Sequence, residues 1–166
     1  MRWDRLFADL EAEADDIEKA ETDGLAIDLR DEIWAATSWR DLLGGHVMLD
    51  VTGVGQIGGH VAAVNDCLLR VRSSVVDHLV ACSAVTSVLS NGGRSDPPGR
   101  IDAALGWPQA LRRLRDAGQP VRVVLADGRA FDGQIEVVGA DFVRLGAGDV
   151  SRLVTLDAVA VVTSGR

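Results

Sequence analysis

The feature that most limits how this chain can fold is an internal repeat. Laid over one another at an offset of 74 residues, His46 to Ser90 and Pro120 to Ser164 align across 45 positions without a gap. Eleven positions are identical, among them Gly59/Gly133, Arg70/Arg144, Val76/Val150, Leu79/Leu153 and Ser90/Ser164. Several others keep apolar against apolar, as Leu49/Val123, Ile57/Phe131 and Leu68/Phe142 show. Valine richness alone yields chance matches, but it does not place glycine, arginine and turn residues in step, so the chain reads as one unit written twice.

Each copy reads as five short strands. Val121, Val123 and Leu125 alternate with polar or small neighbours, Ala126-Asp127-Gly128-Arg129 is a hairpin turn, and Phe131 to Val138 is the return strand. Gly133 lies within that strand, where a missing side chain permits a bulge or a sharp bend. Phe142 to Leu145, Leu153 to Leu156 and Val159 to Thr163 supply the rest. A short helix precedes each set. Ser38-Trp39-Arg40-Asp41 has capping-box spacing, and Trp107-Pro108 puts proline where a first helical turn accepts it. The run Asn91 to Gly99, rich in Gly and Pro, marks a linker. The expected domains are therefore an acidic helical segment over residues 1–37, one strand unit over 38–91, a linker over 92–100 and a second unit over 101–166.

Charge divides the chain differently. Residues 1–32 hold twelve acids against four bases, which accounts for the whole net charge of −8 and leaves the remainder neutral. In this acidic segment Trp3, Leu6, Phe7, Leu10, Ala14 and Ile17 recur at helical spacing, predicting an amphipathic helix. Its Trp3, Phe7 and Leu10 are the candidate partner-binding residues.

The segment Val121-Arg122-Val123-Val124-Leu125-Ala126-Asp127-Gly128-Arg129-Ala130-Phe131-Asp132-Gly133-Gln134-Ile135, followed by Asp141-Phe142-Val143-Arg144-Leu145, resembles the first motif of the Sm-like family. The resemblance covers residues 108–164 directly and 39–90 through the repeat. It implies a mainly β fold with some α: two tandem five-stranded Sm-like small β-barrels behind an N-terminal amphipathic helix. It also implies assembly by pairing of exposed strand edges, which two fused units would satisfy between themselves while leaving one edge at each end. Family members that bind uridine-rich RNA carry an asparagine in the third strand and an Arg-Gly pair before the last. Here Phe142-Val143-Arg144-Leu145 holds no asparagine, and Leu156-Asp157-Ala158 stands where the Arg-Gly pair would be. The opening Arg2-Trp3-Asp4-Arg5-Leu6-Phe7-Ala8-Asp9-Leu10-Glu11 resembles the start of a group of actinobacterial proteins, some labelled transcriptional regulators, but the strand-patterned C-terminal half offers no helix-turn-helix.

Catalysis finds no footing. His46, His60 and His78 have no cysteine or carboxylate at ligand or triad spacing, and only a fold that brings His46 and His60 together across the first hairpin would make a metal site. Cys67 and Cys82 read as reduced, small core residues. Gly53-x-Gly55 followed by Gly58-Gly59 lacks the helix that a phosphate loop requires. No catalytic residue, metal or cofactor is assigned. The densest basic cluster, Arg112, Arg113 and Arg115, is the candidate nucleic-acid contact, but it reads better as a solvated helix face, since the body has no excess of bases and no tyrosine for stacking. The N-terminus lacks a signal peptide and no apolar run is long enough to span a bilayer, so the expected compartment is the cytoplasm. The expected function is non-enzymatic binding or assembly through protein–protein contact or self-association, against an RNA- or DNA-associated regulator.

Overall fold

The computed structural model describes residues 29–90, 99–100 and 105–165, and the chain divides into two compact units, Met1–Leu42 and Leu43–Arg166. Trp3, Phe7 and Leu10 lie outside the described residues.

In the first unit residues 29–36 are helical. Thr37 Oγ1 donates back to the Ile33 carbonyl at 2.7 Å, and a 3-10 turn follows at Trp39–Leu42. The Ser38 hydroxyl accepts from the Arg40 N–H at 3.3 Å, while the Asp41 carboxylate accepts from the Ser38 N–H at 3.0 Å. This is the reciprocal satisfaction of orphan donors that the Ser-x-x-acid spacing predicts.

The second unit is built of strands. In chain order they are β1 (His46–Val51), β2 (Gly55–Val64), β3 (Leu68–Arg72), β4 (Val76–Ala81), β5 (Val85–Ser90), β6 (Gly99–Arg100), β7 (Val121–Leu125), β8 (Ala130–Val138), β9 (Phe142–Ala147), β10 (Val150–Thr155) and β11 (Val159–Gly165). Period-two alternation decides which side of each strand is covered. Val47, Leu49 and Val51 of β1 are buried, as are Val121, Val123 and Leu125 of β7, with their neighbours turned outward. Four consecutive residues of β11, Val159 to Val162, are buried, so this strand is covered on both faces. The α-helix α1 (Trp107–Asp116) lays Leu111, fully buried, together with Trp107 and Leu114 against the core formed by Val123, Ile135, Val143, Leu145 and Val162.

The strand order corrects the expected architecture. Instead of two separate five-stranded barrels, the strands form one open sheet in the order β10-β9-β8-β7-β11-β4-β3-β2-β1-β5, antiparallel throughout, with β6 pairing in parallel onto β2. The pairing that overturns the two-barrel expectation is β4 with β11, which runs Val76↔Gly165 to Val80↔Val161 and makes the two halves one sheet. It also completes a core: Leu79 of the first half packs against the buried cluster of the second. Each half alone would leave β4 or β11 as an unpaired edge with apolar residues facing water, and joining them removes both edges.

Gly133 marks a close approach of β8 to β9. A Cβ on it would sit 2.6 Å from the Gly146 carbonyl oxygen on β9, so only glycine lets the strands approach this closely, and the ladder shifts register just beyond, between Ile135 and Val137. No helix among the described residues is long and apolar enough to cross a membrane.

Candidate functional site

The β4–β11 junction sets the terms for reading the ends of the sheet. At the junction His78 faces Thr163 across the ladder, with Nδ1 and Oγ1 3.0 Å apart. Burial pushes the His78 imidazole below its ordinary pKa, against a smaller upward pull from Asp77. Asp77 is held in turn by Arg70, whose Nε donates to Oδ2 at 3.2 Å.

At the two ends of the sheet, β10 and β5 have no strand on their outer sides among the described residues. The 74-residue offset carries β4 onto β10, since Val76–Ala81 becomes Val150–Thr155, and carries β5 onto the first six residues of β11. The free edges are therefore counterparts of the two strands that pair inside the molecule. Their side chains differ accordingly. Val162 is buried at the junction while its counterpart Val88 is half-buried, and next to Val88 the side chain of Leu89 is 69% exposed. On β10, Val150 and Leu153 are also exposed. Neither edge is defended: β10 carries one charge, Arg152, β5 carries none, and neither holds proline.

Beside β10 lies a shallow cavity of about 170 Å³, lined by Leu125, Phe131, Arg152, Leu153, Val154 and neighbours. The Arg152 guanidinium stacks over the Phe131 ring at 4.3 Å, and Arg129 at the rim is tied to Asp127 at 2.7 Å. The Asp127 carboxyl lies below the usual carboxylate range because it accepts the Arg129 backbone N–H, with the Arg129 side chain adding to the effect. The cavity is small beside ordinary ligand pockets of roughly 300–1,000 Å³.

The sequence-derived candidates fall in separate places. Arg112 and Arg113 are exposed on α1, while Arg115 is half-buried and donates to Asp116 Oδ1 through Nε at 3.0 Å and through Nη2 at 2.8 Å. Cys82 is buried, as a small core residue should be, but Cys67 is exposed. Its backbone N–H and that of Leu68 donate to the Asn65 side chain, a turn that sets Cys67 outward. His78 is a junction residue. His46 and His60 are brought face to face across the first hairpin. No three His, Cys, Asp or Glu side chains among the described residues gather as a metal-binding group. What sequence reasoning missed is the outer row of β10, Val150 and Leu153. The signal was present in the repeat, since these residues match Val76 and Leu79, but it acquires meaning only once β4 is seen to be covered.

No protein family's sequence profile matches this chain, and no curated protein is similar to it.

Proposed function

We propose that this chain is a non-enzymatic assembly protein, acting in the cytoplasm by joining further copies of itself, or another protein's strand, through the free edges β5 and β10. The observation that carries the reading is the β4–β11 junction, a working example within the molecule of the contact that β10 and β5 are equipped to make. Shifted by the repeat offset, its register sets Leu153 opposite Val88 of a second copy and Arg152 opposite Leu89.

Magnitudes favour an extended contact over a single anchor. Burying one leucine contributes roughly 1.5–3 kcal/mol. Association costs about 4–15 kcal/mol before any gain. Leu153 alone falls short, whereas Leu153, Val150 and Leu89 together with a ladder of six-residue strands reach the required range. The nucleic-acid reading is weaker, because Arg115 is already paired and only Arg112 and Arg113 remain as exposed cations on that helix.

Light scattering over a concentration series tests the proposal. The intact chain is expected to exceed the monomer mass as concentration rises, and Leu153→Asp to return it to monomer with its fold unchanged. A monomer mass for the intact chain at every concentration overturns the reading.

A further inference from the structure

We infer that His46, His60 and Met48 form a surface site for a copper(I) ion. The site lies on the outward face of the β1–β2 hairpin.

The register pairs His46 with His60 and Met48 with Gly58. The Val61 N–H donates to the Gly45 carbonyl at 2.9 Å. In an antiparallel ladder that bond, from the residue after one partner to the residue before the other, frames His46 and His60 as a pair not bonded to each other through the backbone. Such pairs are the closer kind, with Cα atoms about 4.5 Å apart and side chains adjacent. Both histidines are exposed, and neither makes a hydrogen bond or ion pair with another described residue. Two imidazoles on one face at this spacing are a ready chelate.

The third donor is the Met48 thioether. A Cβ built on Gly58 would lie 3.3 Å from Met48 Sδ and 3.1 Å from Cε, so the methionine side chain reaches across the ladder and rests above Gly58. His60, two residues beyond Gly58 on the same face, is therefore the diagonal neighbour of Met48, at about 7–8 Å, which long side chains cover. The absence of a side chain at Gly58 keeps that space open for the sulfur.

The donor set selects the metal. Imidazole suits zinc, copper and nickel, but a thioether is soft and favours copper(I). No anionic ligand shares the face nearby: Asp50, further along it, accepts a hydrogen bond from Ser87. Zinc, which prefers four ligands and commonly takes thiolate or carboxylate, is poorly served. Arg72 stands opposite His60 on the β3 side and places a positive charge next to the site. Coulomb repulsion scales with ionic charge, so this neighbour penalises a divalent ion about twice as much as a monovalent one. The site binds the ion and involves no redox step.

The test uses the full chain carrying Cys67→Ser, which removes the exposed thiol as a rival ligand. Copper(I) kept reduced by ascorbate is titrated without oxygen against a coloured copper(I) chelator. One equivalent should bind, and His46→Ala, His60→Ala and Met48→Leu should each weaken binding by about tenfold or more, the scale on which even outer-shell changes act at metal sites. All three side chains point outward, and unchanged thermal unfolding of each variant confirms that the fold is retained. Silver(I), a diamagnetic stand-in, should shift the Met48 methyl resonance in the parent chain. Failure to bind copper(I), binding indifferent to the histidine variants, or a Met48→Leu variant that binds as tightly as its parent each overturns the assignment, the last leaving a plain two-histidine site.

Discussion

Leu79 and Leu153 hold the same position in strands that match at the repeat offset, yet Leu79 packs into the core of the opposite half while Leu153 is 66% exposed. The two leucines share a type, a strand position and a repeat frame, and differ in whether another strand lies beside them. That contrast makes a direct prediction. In the monomer, Leu79→Ala should cost about 2–3 kcal/mol, the low end for a leucine that is incompletely buried. Leu153→Ala should cost under about 0.5 kcal/mol, as surface changes do. Urea unfolding at a concentration too low for association checks the pair. Equal losses at the two sites would mean that Leu153 is already covered.

His78 supplies a pH dependence at the same junction. Its pKa is lowered from 6.5 by burial, so as pH falls past 6.5 the unfolded chain takes up a proton more readily than the folded one. The stability it contributes is therefore full above that value and is lost progressively below it. Groups facing it are Thr163, at 3.0 Å, and Asp77, whose charge moderates the shift without reversing it. Urea midpoints at about pH 7.5 and pH 5.5 should differ in the parent and differ less in His78→Gln, because a neutral amide cannot take up the proton. An unchanged difference in the variant would assign the pH dependence to other groups.

How much of this was legible in the sequence depends on the range of the interaction. The β7–β8 hairpin was, because its signals are local: alternation over Val121 to Leu125, then an Asp-Gly turn in which the Arg129 N–H donates to Asp127 at 3.0 Å. The capping box at Ser38 and a bulge in β8 near Gly133 were legible for the same reason. The β4–β11 pairing joins residues more than eighty positions apart, and alternation along a strand states which face is covered without stating which strand lies alongside. Two closed barrels and one continuous sheet place the same residues inside, so periodicity could not decide between them. The His46↔His60 pair lay between these cases. It was visible as a condition on the first hairpin, and the three-residue connection between Val51 and Gly55 settled the register.

Gly133 offers a test of local geometry free of such ambiguity. Alanine there drives a Cβ to 2.6 Å from the Gly146 carbonyl oxygen, and backbone cannot swing aside as a side-chain tip can. Overpacking of this sort costs about 1–3 kcal/mol. Gly165→Ala is the matched control, since nothing lies within 4 Å of the added carbon. Thermal unfolding should separate the two variants clearly, and a Gly133→Ala protein as stable as its parent would mean that β8 and β9 can part without loss.

The last prediction concerns nucleic acid. Affinity for phosphate backbones grows with the number of cations that displace counterions, and proteins with strong, salt-sensitive binding engage about six to ten phosphates. On α1, Arg112 and Arg113 are exposed, whereas Arg115 is held by Asp116. Two cations neutralise too little charge for tight binding, and the chain has no tyrosine to stack a base. Fluorescence anisotropy with a uridine-rich RNA and with duplex DNA at about 150 mM salt should therefore show no saturation below about 10 μM, inside the ordinary non-specific range. Sub-micromolar binding that disappears in the Arg112→Ala, Arg113→Ala double variant would reverse this conclusion and make the α1 face a nucleic-acid surface.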